Sequence, residues 1–267
     1  MESVYIDHTL EVRTGGIVAW FVRRLFLCRV PILSRLIIIV YAKIMKADYY
    51  GHKPEDFDCL LSFFLRQRDL SVKSRGLELV HTGVCPAEGK VTFLDVLTHN
   101  DTMPVKGAGF TVSKLIGRDA PEYESGLVIY LAPGNYHHVH SPADMVIEDY
   151  YEVAGKLESV APALLKNNPM LYAENLRHVL IARTVKGARL ALVFVGAKNV
   201  GGIFCPKLAG WEPGQQVSYK KGEAVGFFSL GSTVVLLAGG GIEWIPHQVG
   251  QPVDVMDEMF EEKDVGS

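Results

Sequence analysis

The sequence predicts an α+β fold in which N-terminal amphipathic helices precede a mainly antiparallel β-sheet body. Three observations carry this. Apolar residues at helical spacing are concentrated in roughly the first quarter of the 267 residues. Short runs of Val, Ile and Leu follow, each closed by Gly, Pro, Asn or Asp, as strands are. No alternation of strand and helix follows residue 70, which disfavours a doubly wound sheet.

Residues 12–47 read as two helices parted by Pro31, whose ring breaks the helical phase. The first carries Trp20, Phe21, Leu25 and Phe26 on an apolar face, the second Ile32, Leu36, Ile39 and Ile44, with Arg23, Arg24, Arg29 and Arg35 along the edges. The longest uncharged apolar run, Leu36 to Ala42, is far shorter than the roughly 20 residues of a spanning helix. Glu2, Asp7 and Glu11 spoil the basic start of a secretory signal or transit peptide. The pattern suits a helix pair lying in a membrane interface, and equally a core-packing pair with solvated arginines. A third helix is expected from Pro54 to about Arg68, with Pro in the first turn and Phe57, Leu60, Leu61 and Phe64 at helical spacing. Strands are expected near 77–81, 91–97, 126–132, 144–150, 178–184, 189–195 and 233–238. A further helix fits 160–167 or 172–177, and the acidic tail from Asp254 is expected to fray.

The formal charge of −3 hides a division: residues 12–47 hold seven Lys or Arg and no Asp or Glu, so the rest of the chain is −10. A charge this small excludes bulk nucleic-acid binding, which needs a strongly basic domain. The four cysteines, Cys28, Cys59, Cys85 and Cys205, form no CxxC pair. They suggest neither a zinc site nor a disulfide framework, and fit a reducing compartment.

Two clusters could carry chemistry. Ala132-Pro-Gly-Asn-Tyr-His-His-Val-His-Ser-Pro142 places three of the nine histidines within four positions. As a metal site it is incomplete, since zinc wants three or four ligands and a second shell. Histidine suits proton transfer near neutrality, and the trio can also be polar residues of a loop between prolines. The second cluster, Phe227-Phe-Ser-Leu-Gly-Ser-Thr-Val-Val235, reads locally as a Gly231-Ser232 turn between two strands.

Together, the Leu-Gly-Ser-Thr segment at 230–233 and Tyr136-His137-His138-Val139-His140 resemble the phosphatidylserine decarboxylase family. Collinear segments extend the resemblance over roughly residues 15 to 250. These are Phe63-Phe64-Leu65-Arg66, Pro86-Ala87-Glu88-Gly89, Lys106-Gly107 with Leu115-Ile116-Gly117, and Val195-Gly196-Ala197 with Val200-Gly201. The resemblance implies a self-made pyruvoyl cofactor and no metal. The Ser232 hydroxyl attacks the Gly231 carbonyl, and the ester breaks between 231 and 232 into β and α chains. Ser232 becomes the pyruvoyl group, whose Schiff base with phosphatidylserine releases CO2 and yields phosphatidylethanolamine. A base must activate the serine. The resemblance makes that base His140, with Glu88 in the position of the family's Asp, and makes His137 the acid that protonates the product carbon. His138 is left without a role and is expected to face solvent. Residues 1–50 would be a membrane-associating segment and 51–267 the catalytic domain of a peripheral protein on the cytoplasmic side. The partners implied are phosphatidylserine, an anionic membrane surface, the chain's own fragments and a second copy in a homodimer. Two alternatives stand beside this reading: a pyruvoyl-dependent decarboxylase of a soluble amino acid, and a lipid-binding relative in which Glu88 prevents self-cleavage.

Overall fold

A computed structural model of the chain describes residues 17–74, 82–97, 102–105, 108–120, 122–160, 168, 170–197, 202–229 and 232–263. The helices are α1 Ile17–Phe26, α2 Pro31–Met45, α3 Leu60–Phe64, α4 Ser71–Ser74, α5 Val112–Ile116 and α6 Leu171–Glu174. The strands begin with β1 Thr82–Val84, β2 Gly89–Val96, β3 Thr102–Val105, β4 Ala108–Thr111, β5 Ser125–Leu131, β6 His138–His140, β7 Met145–Val153 and β8 Arg177–Thr184. They continue with β9 Arg189–Val195, β10 Ile203–Phe204, β11 Val217–Tyr219, β12 Ala224–Phe228, β13 Ser232–Ala238, β14 Ile242–Trp244, β15 Pro252–Val253 and β16 Glu258–Glu262. The architecture is α+β with antiparallel pairing throughout the named strands, as the sequence predicts.

One eight-stranded sheet, ordered β11-β7-β8-β9-β13-β5-β2-β15, forms the centre. Side chains alternate across a strand, and both faces are covered. Val235 and Leu237 join Phe63, Phe64 and Ile38 in a core on the helical side. Val234 and Leu236 join Phe194, Phe228 and Phe260 in a core under the small sheets. The β1-β16-β14 and β10-β12-β6 sheets supply that second cover. Burial on both faces is why these strands read as continuous apolar runs rather than as alternating ones.

Pro31 opens α2 at its first turn, where a missing N–H costs nothing, and Lys46 closes it in a left-handed conformation with its N–H donating to the Ala42 carbonyl. Ser34, Ile38 and Ala42, four residues apart, face the body. Phe26, on the apolar face expected of the first helix, is buried against Phe64. Trp20, Phe21, Leu25, Ile32, Leu36, Ile39 and Ile44 remain exposed. Among the described residues no single helix is long and apolar enough to cross a membrane; α1 and α2 form an apolar pair bent by 105°.

Two further expectations are corrected. The helix expected over Pro54 to Arg68 is a 3-10 turn at Pro54–Asp56 followed by the short α3. Phe57 and Cys59 are extended, and the Ser62 hydroxyl bonds the Cys59 carbonyl and accepts the Cys59 N–H, so the helix restarts there. The acidic tail does not fray at Asp254: β15 and β16 are paired strands and Asp254 is ion-paired. The strand expected near 77–81 and the helix near 160–167 fall outside the described residues, whereas α6 overlaps the alternative at 172–177.

Candidate active site

The histidine loop is clamped from the helical side. Asn135 Oδ1 accepts the Ala132 N–H at 2.8 Å, closing a turn over residues 132–135. Tyr41 of α2 donates to the Pro133 carbonyl at 2.7 Å. Arg66, buried, donates from Nη2 to the Gly134 carbonyl at 2.9 Å, from Nε to Asp48 O at 2.6 Å and from Nη1 to Phe63 O at 3.2 Å. Gly134 is required here: a Cβ would lie 2.1 Å from the Met45 carbonyl oxygen.

Tyr136, His138 and His140 share one face, and the Tyr136 ring stacks on both imidazoles at 5.0 and 5.7 Å. Each histidine has one ring nitrogen on a backbone carbonyl. A carbonyl only accepts, so that nitrogen carries the proton and the other is bare in the neutral ring. His137 donates from Nδ1 to Asn135 O at 2.8 Å. Its Nε2 is buried without a hydrogen-bond partner among the described residues, and the ring lies 4.0 Å from that of Phe64. His140 donates from Nδ1 to Gly222 O at 2.8 Å, and its Nε2 faces the Tyr136 hydroxyl at 3.3 Å. His138 donates from Nε2 to Leu65 O at 3.0 Å and is buried, not solvent-facing as the sequence suggested. It ties the strand to the end of α3. Burial holds His137 down to about 3 and His140 to about 4, and lowers His138 as well. All three are neutral at physiological pH.

Ser232 opens β13 opposite Leu131, the last residue of β5 before the histidine turn. β6 in turn pairs with β12, the strand that precedes Ser232. The histidine strand thus lies in the small β10-β12-β6 sheet beside the end of the central sheet where β13 begins, and no hydrogen bond joins Ser232 to a histidine. The Ser232 side chain is fully buried, and among the described residues its Oγ has no hydrogen-bond partner. A buried hydroxyl without a partner costs about 1–3 kcal/mol, and the neighbouring Thr233 hydroxyl is in the same position. Gly231, the proposed carbonyl donor, lies outside the described residues, as do Lys106-Gly107 and Val200-Gly201.

Glu88 is placed beside this site but is not hydrogen-bonded to His140. It accepts from the Tyr50 hydroxyl, from Asn135 Nδ2 at 2.8 Å, and is ion-paired with Arg68 Nη1 at 3.5 Å. Arg68 is forked onto Asp254 at 2.5 and 2.7 Å, and Lys73 joins Asp254 and Asp257. Glu88 thus grips the histidine turn through Asn135. Tyr50, Asn135, Arg68, Asp254 and Gly222 were not singled out from the sequence. Only the Lys220-Lys-Gly-Glu223 turn offered a local signal, a glycine amid charged residues. Among the described residues no group of three or more His, Cys, Asp or Glu is arranged to hold a metal.

A buried serine and a set of buried, neutral imidazoles lie close together in an α+β body, and comparison with known sequences places that body in a lyase family. The family profile for phosphatidylserine decarboxylase matches residues 60–258. The phosphatidylserine decarboxylase proenzyme of Marinobacter nauticus is 33% identical over 193 residues, 66% of this chain and 67% of that protein. The proenzyme of Legionella pneumophila is 31% identical over 229 residues, covering 76% and 80%. That of Methylococcus capsulatus is 30% identical over 244 residues, covering 84% and 83%. The chain belongs to the phosphatidylserine decarboxylase family, whose members are carboxy-lyases made as proenzymes.

Proposed function

We propose that the chain cleaves itself at Ser232 and then decarboxylates phosphatidylserine to phosphatidylethanolamine. The observation that carries this is the buried Ser232 Oγ, unpartnered among the described residues, at the sheet end beside the segment that holds two imidazoles with bare Nε2 atoms. His140 takes the serine proton as Oγ attacks the carbonyl carbon of residue 231, and the amide becomes an ester. A proton then leaves the Cα of Ser232, the Cβ–O bond of the ester breaks, and a carboxylate is left on the β chain. The dehydroalanine that remains takes up water and loses ammonia. The fit of a pyruvoyl group rests on the same orphaned oxygen, since no hydrogen bond has to be broken to consume it. That group supplies a ketone for the substrate amine and a sink for the electron pair left by CO2.

Each turnover consumes one proton, and His137 delivers it to the product carbon. Its Nε2 is bare here, so it must first be loaded; burial against Phe64 makes it a strong donor once protonated. Glu88 acts as a positioning residue, holding Asn135 and with it the turn that leads to His137 and His140. The exposed apolar faces of α1 and α2, with Arg23, Arg24 and Arg35, would dock the protein on the anionic cytoplasmic leaflet. Each cation there contributes about 1 kcal/mol.

Intact-mass analysis of the purified protein tests the reading, with Ser232→Ala as control. Two fragments, summing to the precursor with ammonia lost and water gained, together with CO2 release from phosphatidylserine vesicles, are expected. An unbroken chain after prolonged incubation points to the lipid-binding alternative. CO2 from free amino acids alone points to a soluble substrate.

A further inference from the structure

We propose that the main-chain carbonyl of Gly222, and not the Glu88 carboxylate, is the group that orients His140 and fixes its tautomer for self-cleavage. The inference rests on the function proposed above and names a positioning residue in that same site.

A base acting on a serine must present a bare nitrogen, so its other nitrogen needs an acceptor that keeps the proton there. In this chain that acceptor is a carbonyl. His140 Nδ1 lies 2.8 Å from Gly222 O. The carbonyl is held by a double backbone link to the residue after the histidine. Ser141 N–H donates to Glu223 O, and Gly222 N–H donates to Ser141 O, each at 2.8 Å. The turn is closed by Glu223 N–H to Lys220 O at 2.9 Å and pinned by Lys221 N–H to Asp144 Oδ1 at 2.8 Å. Ring and acceptor therefore keep their register without any side-chain rotor between them.

The position needs glycine twice over. Its φ is +78°, which side-chain-bearing residues rarely adopt, and a Cβ would meet Met256 Sδ at 2.6 Å and Cε at 2.7 Å. Met256 is fixed by its own N–H, which donates to Cys85 O at 3.1 Å, three residues before Glu88. The turn that carries the acceptor is thus backed by Met256, while among the described residues Glu88's hydrogen bonds and ion pair go to Tyr50, Asn135 and Arg68. A neutral acceptor fixes the tautomer but does not stabilise an imidazolium. That agrees with the low basicity of His140, which no carboxylate offsets.

The test uses the full chain locked by Ser232→Ala and labelled with 15N-histidine, with His140→Gln to assign the ring signals. Two-bond proton–nitrogen correlations then read which nitrogen carries the proton. The expected result is Nδ1–H with Nε2 bare in the locked chain, unchanged when Glu88→Gln is added. Gly222→Ala in the cleavable chain should slow fragment formation at least tenfold, and adding Met256→Ala, which removes the atoms the new Cβ meets, should recover part of the rate. An Nε2–H tautomer in the locked chain, or a tautomer that changes with Glu88→Gln, overturns the proposal. If Gly222→Ala fails to fold, those two spectra still decide. A chain with Ser232 intact that never cleaves would refute the proposed function while leaving the tautomer result standing.

Discussion

Arg66→Lys is the most informative single substitution. The guanidinium is buried and donates to three carbonyls on three segments: Asp48 after α2, Phe63 in α3, and Gly134 in the histidine turn. It also lies over the Tyr50 and Phe63 rings at 5.0 and 4.6 Å. A lysine ammonium is a point donor and cannot span three divergent acceptors. Keeping one bond and losing two, at about 1.5–3 kcal/mol for each bond to a charged donor, gives a loss of about 3–6 kcal/mol. Against a total stability of about 5–15 kcal/mol, that is a large fraction. Urea denaturation of the Ser232→Ala chain with and without Arg66→Lys measures it, because the uncut chain unfolds as one molecule. The freed Gly134 turn should also slow fragment formation more than tenfold in the cleavable chain. A stability loss under about 1 kcal/mol, with an unchanged cleavage rate, would refute the reasoning, since the energy expected of two charge-assisted bonds would then be missing.

Phe64→Ala removes the ring over His137, so stability should fall by about 3–5 kcal/mol. Water should then reach Nε2 and lift the His137 pKa from about 3 toward the ordinary imidazole value; an NMR titration that leaves it in place contradicts the role of burial. Because the folded values of His137 and His140 lie below the unfolded one, the unfolded chain binds more protons between about pH 4 and 6.5. Stability should therefore be fully present above that window and decline as pH falls through it, by up to about 3 kcal/mol per histidine. Denaturation midpoints of the Ser232→Ala chain that stay flat from pH 7.5 to 4.5 would count against this. Ile32→Asp, at a side chain 83% exposed on α2, should change stability by less than about 0.5 kcal/mol. Its binding to phosphatidylserine-containing vesicles should weaken at least tenfold; unaltered co-sedimentation would detach α2 from the membrane role.

Much of the fold was legible because its signals are local. Pro31 marks the break between α1 and α2, and the Val-rich runs of β5, β8, β9 and β13 match the strands to within two residues. The small strands β10, β14 and β15 were not legible, since two or three residues carry no period and are defined only by their partners. Phe57, Leu60, Leu61 and Phe64 do all enter the core, yet the Ser62–Cys59 bonds break the helix their spacing implied. In the site, the histidines and Ser232 stand out by residue type. The groups that hold them do not: Gly222 acts through a carbonyl that every residue has, and it meets His140 across 82 positions of chain. Glu88 shows the converse, a side chain that is legible but whose partners, Tyr50 and Asn135, only folding reveals.

β13 lies in the interior of the eight-stranded sheet, hydrogen-bonded to β5 on one side and β9 on the other. A cut just before Ser232 therefore severs the covalent chain without freeing either piece. The shorter fragment keeps both neighbours, and β16, also within it, stays paired to β1. Refolding, however, changes its kinetic order. Before the cut, refolding is a first-order event. Afterwards it requires two separate molecules to meet, one of which, the larger, lacks a central strand and exposes two open sheet edges until they do. Processing would convert a reversible folder into a protein whose persistence is set by its rate of opening, and heat-treated samples should recover in proportion to concentration rather than to time alone.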